Sequence, residues 1–246
     1  MSIFIFSGTT EGRELSCRLA TRGADVTVCV ATEYGTEEQG AHEGVTVLTG
    51  RRSADEMAAL LRGFSLCVDA THPYAVEASK NIRAACAAAN VPYRRLLREK
   101  SETPDAVEVD SAAEAAAYLT ETEGNVLLTT GAKELPMFAA LDANRLYPRV
   151  LPSHEGISAC EAAGIPHRNI IAMQGPFSRE LNAALMHQYK IAYVVTKDGG
   201  AAGGFPEKAE AARETGATLL VLRRPEESGA GFEEILRECE AMLSCK

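Results

Sequence analysis

The chain has 246 residues, 46% of them hydrophobic and 24% charged, an ordinary composition for a globular protein with room for one large or two small domains. A formal charge of −9 argues against the basic stripe that a nucleic-acid surface needs, though not against cationic loops around a small acidic ligand. The opening run Ser2-Ile3-Phe4-Ile5-Phe6 is too short for a signal peptide's apolar segment, and no stretch is apolar for long enough to span a bilayer.

Short β-branched runs alternate with alanine-rich amphipathic segments. In the first part the pattern predicts strands at 3–7, 25–31, 45–49, 66–69 and 93–97, with helices at 10–22, 53–62 and 73–90. In the second part it predicts strands near 106–109, 126–129, 145–151, 170–172, 191–196 and 218–223. Its helices fall near 111–121, 133–140, 154–163, 178–188, 206–215 and 232–243. Alternation of this kind implies crossover connections and mostly parallel sheets. Eleven strands are many for one doubly wound sheet, and the polar segment from Arg98 to Pro104 reads as a linker. The expectation is two α/β lobes, 1–98 and 99–246, with a ligand in the cleft between them. The final helix is free to pack back on the first lobe. Seven cysteines, at 17, 29, 67, 86, 160, 239 and 245, form no CxxC pair. Neither zinc nor a disulfide framework is expected, and the thiols suit a reducing, cytoplasmic setting.

Several loops sit at strand-to-helix junctions, where open α/β sheets bind ligands. Ser7-Gly8-Thr9-Thr10-Glu11-Gly12-Arg13 follows the first strand; its glycine, hydroxyls, cation and helix N-terminus suit a phosphate, although the spacing is not GxGxxG. After the second strand, Glu33 is placed to meet a ribose, pointing to NADH, while Arg51 and Arg52 would suit NADPH, and each is equally a solvated charge. The run Asp69-Ala70-Thr71-His72-Pro73-Tyr74-Ala75 ends an apolar strand abruptly. Asp69 is read as orienting Thr71 or His72, and Pro73 as opening the helix. Thr130-Gly131-Ala132-Lys133 and the glycine-rich loop from Thr196 to Gly204 offer amides and lysines to anions, the latter with a flexible connector as its alternative reading. Gln174-Gly175-Pro176-Phe177-Ser178 is a further junction, equally a plain helix start. His154, His167 and His187 lack metal-like spacing, and no nucleophile elbow, HExxH or Walker sequence occurs. With donors plentiful and nucleophiles few, cofactor chemistry is favoured.

These motifs resemble the precorrin-6A reductase and cobalt-precorrin-6A reductase family, through Gly8–Arg13, Asp69–Ala75, Thr130–Lys133, Thr196–Gly199 and the downstream Gly203-Gly204 and Glu207-Lys208. The Asp-Ala-Thr-His-Pro-Tyr-Ala run is specific; the others support it. The family pattern often has serine where this chain has Gly199. The resemblance implies two Rossmann-like lobes, NADPH or NADH, and a tetrapyrrole substrate bearing acetate and propionate groups. It also implies reduction of one ring double bond, C18=C19, by hydride transfer and protonation in cobalamin biosynthesis. Gly8, Thr9, Thr10, Arg13, Glu33, Asp69 and Thr71 would then serve the cofactor, and Thr130, Gly131, Lys133, Lys197 and Gly199 the substrate. His72, then Tyr74, are the side chains to consider for the proton. The rival readings are a non-redox two-lobed tetrapyrrole-modifying enzyme and a small-molecule-binding protein; nicotinamide oxidation on mixing would distinguish them.

Overall fold

In a computed structural model, which describes residues 1–98, 101 and 105–244, every expected strand forms. The first part runs β1 (Ser2–Phe6), α1 (Thr10–Thr21), β2 (Asp25–Val30), α2 (Glu33–Gln39), β3 (Val45–Thr49), α3 (Ala54–Leu61), β4 (Leu66–Asp69), α4 (Val76–Ala89) and β5 (Tyr93–Arg95). The second runs β6 (Val107–Val109), α5 (Ala112–Thr120), β7 (Asn125–Leu128), β8 (Leu146–Val150), α6 (His154–Ala162), β9 (Ile171–Ala172), α7 (Arg179–Gln188), β10 (Ile191–Lys197), α8 (Phe205–Thr215), β11 (Thr218–Leu222) and α9 (Phe232–Ser244). Hydroxyl caps fix many helix starts. Thr9, Thr32, Ser53, Ser111, Ser153 and Ser178 each accept a hydrogen bond from the N–H three residues on. Ser53 and Glu56 complete a reciprocal capping box.

The strands form two parallel sheets, in the orders β3-β2-β1-β4-β5 and β6-β11-β10-β7-β8-β9. Read from β9, the second order repeats the first, with β6 added at its edge. In each sheet the chain turns back on itself beside its central strand, at β1/β4 and at β7/β10. Those two places are the topological switch points, where ligands of doubly wound sheets bind.

Residues 1–99 and 225–246 make up one compact unit, and 100–224 the other. The stretch after Arg224 therefore belongs with the first unit, which corrects that part of the expected 99–246 lobe. The cause is apolar: Ile235, Leu236 and Cys239 of α9 are buried with Leu15, Leu19, Val26 and Val28 on one face of the first sheet. The other face is covered by α3 and α4, through Met57, Leu61, Ile82 and Cys86 against Phe4 and Phe6. In the second unit, α7 and α8 bury Ala183, Met186, Phe205 and Ala211 against Leu127 and Val194.

Three other expectations are corrected. Residues 33–39 form a helix despite lacking apolar periodicity. Pro136, which has no N–H to give, leaves Ala132–Phe138 as a 3₁₀ segment rather than an α-helix. Helix α4 begins at Val76, so Pro73 lies in the preceding turn, closed by Ala75 N–H donating to the His72 carbonyl at 2.8 Å. Of the expected linker, Glu99, Lys100 and Glu102 to Pro104 lie outside the described residues.

Candidate active site

At the first switch point the loop after β1 and the corner after β4 are tied together. Thr9 caps α1 by accepting from Gly12 N–H at 3.1 Å, and its hydroxyl donates to the Ala70 carbonyl at 2.9 Å. The Thr9 hydroxyl is thus spent inside the protein, which corrects its expected role as a phosphate donor. Gly12 allows the close approach: a Cβ there would stand 2.6 Å from Ser7 Oγ and 2.8 Å from Ala70 Cβ. Gly8, Thr10 and Arg13 are exposed, and no atom lies within 4 Å of where a Gly8 Cβ would sit. Glu33 is exposed as the first residue of α2, directly after Thr32 at the end of β2. Thr9, Glu11, Thr71, Pro73, Leu96 and Arg98 line one hollow, with Arg98 paired to Glu11 at its rim.

Asp69 is wholly buried and saturated. Its Oδ1 accepts from Thr71 N–H (3.0 Å), the Thr71 hydroxyl (2.7 Å) and Arg95 Nη1 (2.9 Å), and its Oδ2 from the Tyr93 hydroxyl (2.9 Å). Burial foremost, with the charge of Asp69 and against Arg83, pushes the Tyr93 hydroxyl well above its ordinary range, so it stays a donor. Arg95 also donates to the Thr71 carbonyl at 2.9 Å and pairs with Glu227 at 2.9 Å. Asp69 therefore shapes the corner from within rather than presenting its carboxylate to a ligand, which revises its expected cofactor contact. His72 and Tyr74 are half-buried at the same corner, with ring centres 5.5 Å apart, and Tyr74 N–H donates to His72 Nδ1 at 3.4 Å. Sequence reasoning missed Arg95 and Tyr93. The only available signal was charge within the strand Tyr93-Arg94-Arg95.

The second switch point repeats this device. Asp198, just past β10, accepts from Gly200 N–H at 2.9 Å, two residues on, and pairs with Arg224 at 2.9 Å, just past β11. Arg224 Nε also donates to the Asp198 carbonyl at 2.9 Å, as Arg95 Nη1 does to that of Asp69 at 3.2 Å. Burial would raise the Asp198 carboxyl. The Ser101 and Gly200 amides, the Ser101 hydroxyl and Arg224 outweigh it and hold the group below its ordinary value.

Thr130 and Lys197 meet here, with Lys197 Nζ donating to the Thr130 carbonyl at 3.2 Å and pairing with Glu134 at 2.8 Å. Lys197 is thus engaged by a carboxylate of its own chain, a correction to the expectation of a charge held ready for an anion. The Thr130 hydroxyl is buried with no hydrogen-bond partner. Gly131 and Lys133 are exposed, and Gly199 is buried. His154, His167 and His187 are exposed. Among the described residues no three His, Cys, Asp or Glu side chains could together hold a metal ion, and no helix is long and apolar enough to cross a membrane.

Paired polar loops at the switch points of two Rossmann-like parallel sheets define an α/β protein of the doubly wound, ligand-binding class. The sequence model of one family, described as precorrin-6x reductase CbiJ/CobK, matches residues 2–241, and the chain belongs to that family of oxidoreductases. The cobalt-precorrin-6A reductase of Priestia megaterium is 37% identical over 246 residues, covering 95% of this chain and 96% of that one. That of Methanothermobacter thermautotrophicus is 34% identical over 233 residues, covering 92% and 77%. A solved structure titled CobK precorrin-6A reductase superposes with a TM-score of 0.77 at 25% identity, over 97% of this chain and 95% of that one.

Proposed function

We propose that the chain reduces a ring double bond of a corrin precursor, precorrin-6A or cobalt-precorrin-6A, with NADPH or NADH as hydride donor. The observation that carries this reading is the first switch point, where a glycine–threonine loop opens a capped helix over the hollow at Thr71 in a chain of this reductase family. The residues fit a dinucleotide. The N-terminal end of α1 favours a pyrophosphate, open space lies over Gly8, Arg13 adds charge, and Glu33 opens the helix after the second strand, where a ribose is met. When bound, the cofactor supplies the hydride.

The protein's own residues supply placement. Gly8, Thr10 and Arg13 bind the phosphates, and Thr71, fixed by Asp69 and Arg95, orients the nicotinamide end. Gly131, Lys133 and the Lys197–Gly199 loop contact the substrate. His72 is the first choice to hold the proton delivered to the reduced ring, and Tyr74 the second. Positioning of this kind supplies roughly 7–11 kcal/mol of a barrier.

The test is anaerobic mixing with metal-free and cobalt-bound precorrin-6A, each with NADH and NADPH, following absorbance at 340 nm (about the nicotinamide maximum). Oxidation of one cofactor in step with bleaching of the macrocycle is expected. A stable cofactor signal with every combination would overturn the reading.

A further inference from the structure

Two loops remain without a role, 174–178 and 200–204, and they meet in the second unit. A Cβ on Gly204 would stand 3.3 Å from Pro176 Cβ and 3.6 Å from the Phe177 nitrogen. Two buried cations accompany them. Arg149, at the end of β8, is 7% exposed; its guanidinium lies 4.1 Å over the Phe177 ring, and Nη1 donates to Asn182 Oδ1 at 2.8 Å. Lys208, in the first turn of α8, is also 7% exposed, and its Nζ donates to Thr196 Oγ1 at 2.7 Å.

Neither cation forms an ion pair among the described residues, although Glu207, beside Lys208 in sequence, keeps one buried carboxylate oxygen without a hydrogen-bond partner. Two other nearby acids are committed elsewhere. Asp198 is held by Ser101, Gly200 and Arg224, and Glu134 by Lys197. Burial presses the Lys208 ammonium down to about 7, helped by the charge of Arg149 and opposed by Asp198. Burial likewise brings Arg149 down to about 10. Their two hydrogen bonds are ones that neutral side chains make at less cost, and well-packed apolar residues commonly stabilise such a site. Two buried cationic side chains with no ion-pair partner among the described residues are instead what an anion receptor requires. Lys208 reaches Thr196 on β10, beside β7 with the unpartnered Thr130 hydroxyl, and so lies at the second switch point. The neighbouring 199–204 loop has glycines at 199, 200, 203 and 204, a backbone largely bare of side chains.

We propose that Arg149 and Lys208 form an oxyanion-binding site of the second unit, taking a carboxylate or phosphate group. The inference rests on the reductase reading only for the source of that group, a macrocycle carboxylate or a cofactor phosphate.

Titration calorimetry at low ionic strength with tricarballylate and with inorganic pyrophosphate separates these sources. The wild-type chain is expected to bind one of the two, and Lys208→Met and Arg149→Met to weaken that binding tenfold or more, with circular dichroism checking the fold. Should the methionine variants not fold, Arg149→Lys keeps the charge without the planar fork and is expected to bind severalfold more weakly. No binding of either probe to the wild type, or unchanged affinity in the folded variants, would overturn the site. In turnover assays, a normal KM for both substrates in Lys208→Met sinks this proposal alone. Absent turnover with intact anion binding sinks the reductase reading alone.

Discussion

The carboxylate of Asp69 and the guanidinium of Arg95 have almost no contact with water, and each is surrounded by partners. Asp69→Asn keeps the shape but leaves Arg95, among the described residues, with Glu227 as its one remaining ion-pair partner. Breaking a buried pair from one side costs roughly 3–5 kcal/mol, so urea denaturation should show a loss of that order. His72→Ala tests the proton path. If the imidazole holds the proton, kcat should fall about 10²–10⁴-fold while the cofactor KM stays within a few-fold. An unchanged kcat would remove His72 from the reaction.

Lys208 gives a pH prediction with a definite sign. Its folded-state value, about 7, lies below the ordinary 10.5, so the unfolded chain binds the extra proton between them. The penalty is full below pH 7 and fades as pH rises toward 10.5. Denaturation in anion-poor buffer should therefore show the wild type gaining stability relative to Lys208→Met between pH 7 and pH 9. Arg149 steepens that dependence and Asp198 moderates it. The sequence could mark Asp69, Thr71 and Lys197 because they lie at or just past strand ends, within a few residues of a proline or glycine. It could not mark Arg95, Arg149 or Lys208, whose importance lies in which partners surround them after folding.

Helix α1 approaches the β4 corner through Gly12, where a methyl group would overlap Ser7 and Ala70. Gly12→Ala is expected to cost about 1–3 kcal/mol by overpacking. It should also raise the cofactor KM with little change in kcat, because α1 carries the Thr9–Arg13 loop. Steady-state kinetics beside a thermal melt checks both effects. The strands could be read from the sequence because β-branched runs bounded by glycine and polar residues leave few alternatives. Helix α2 could not, since Glu33–Gln39 buries only Gln39, which reaches Ser16 Oγ at 2.9 Å. It owes its existence to the Thr32 cap and that long-range contact, neither of which has a periodic signature. The 3₁₀ segment at 132–138 shows the reverse case, in which the apolar spacing suggests a helix and one proline sets its type.

The strand order of the first sheet recurs in the second, and so does the acid–arginine brace at the switch point. Alternation of elements foretold two α/β units but not that the chain leaves the first, builds the second and comes back. The return matters energetically. Ile235 and Leu236 each bury a side chain worth roughly 1.5–3 kcal/mol, and Glu227 pairs with Arg95. Against total stabilities of about 5–15 kcal/mol, a chain ending at Arg224 should leave the first unit largely unfolded. Hydrogen exchange is expected to show protection lost in β1–β5 and kept in β7, β10 and β11.

That return also sets a timetable for biosynthesis. Strands β1 to β5 leave the ribosome early, yet α9, which shares with α1 the cover of one of their faces, is made last. At about 5–20 residues per second the wait is on the order of 10 s. Throughout it one apolar face of the sheet lacks part of its cover, making the nascent first unit the part of this protein most in need of a chaperone.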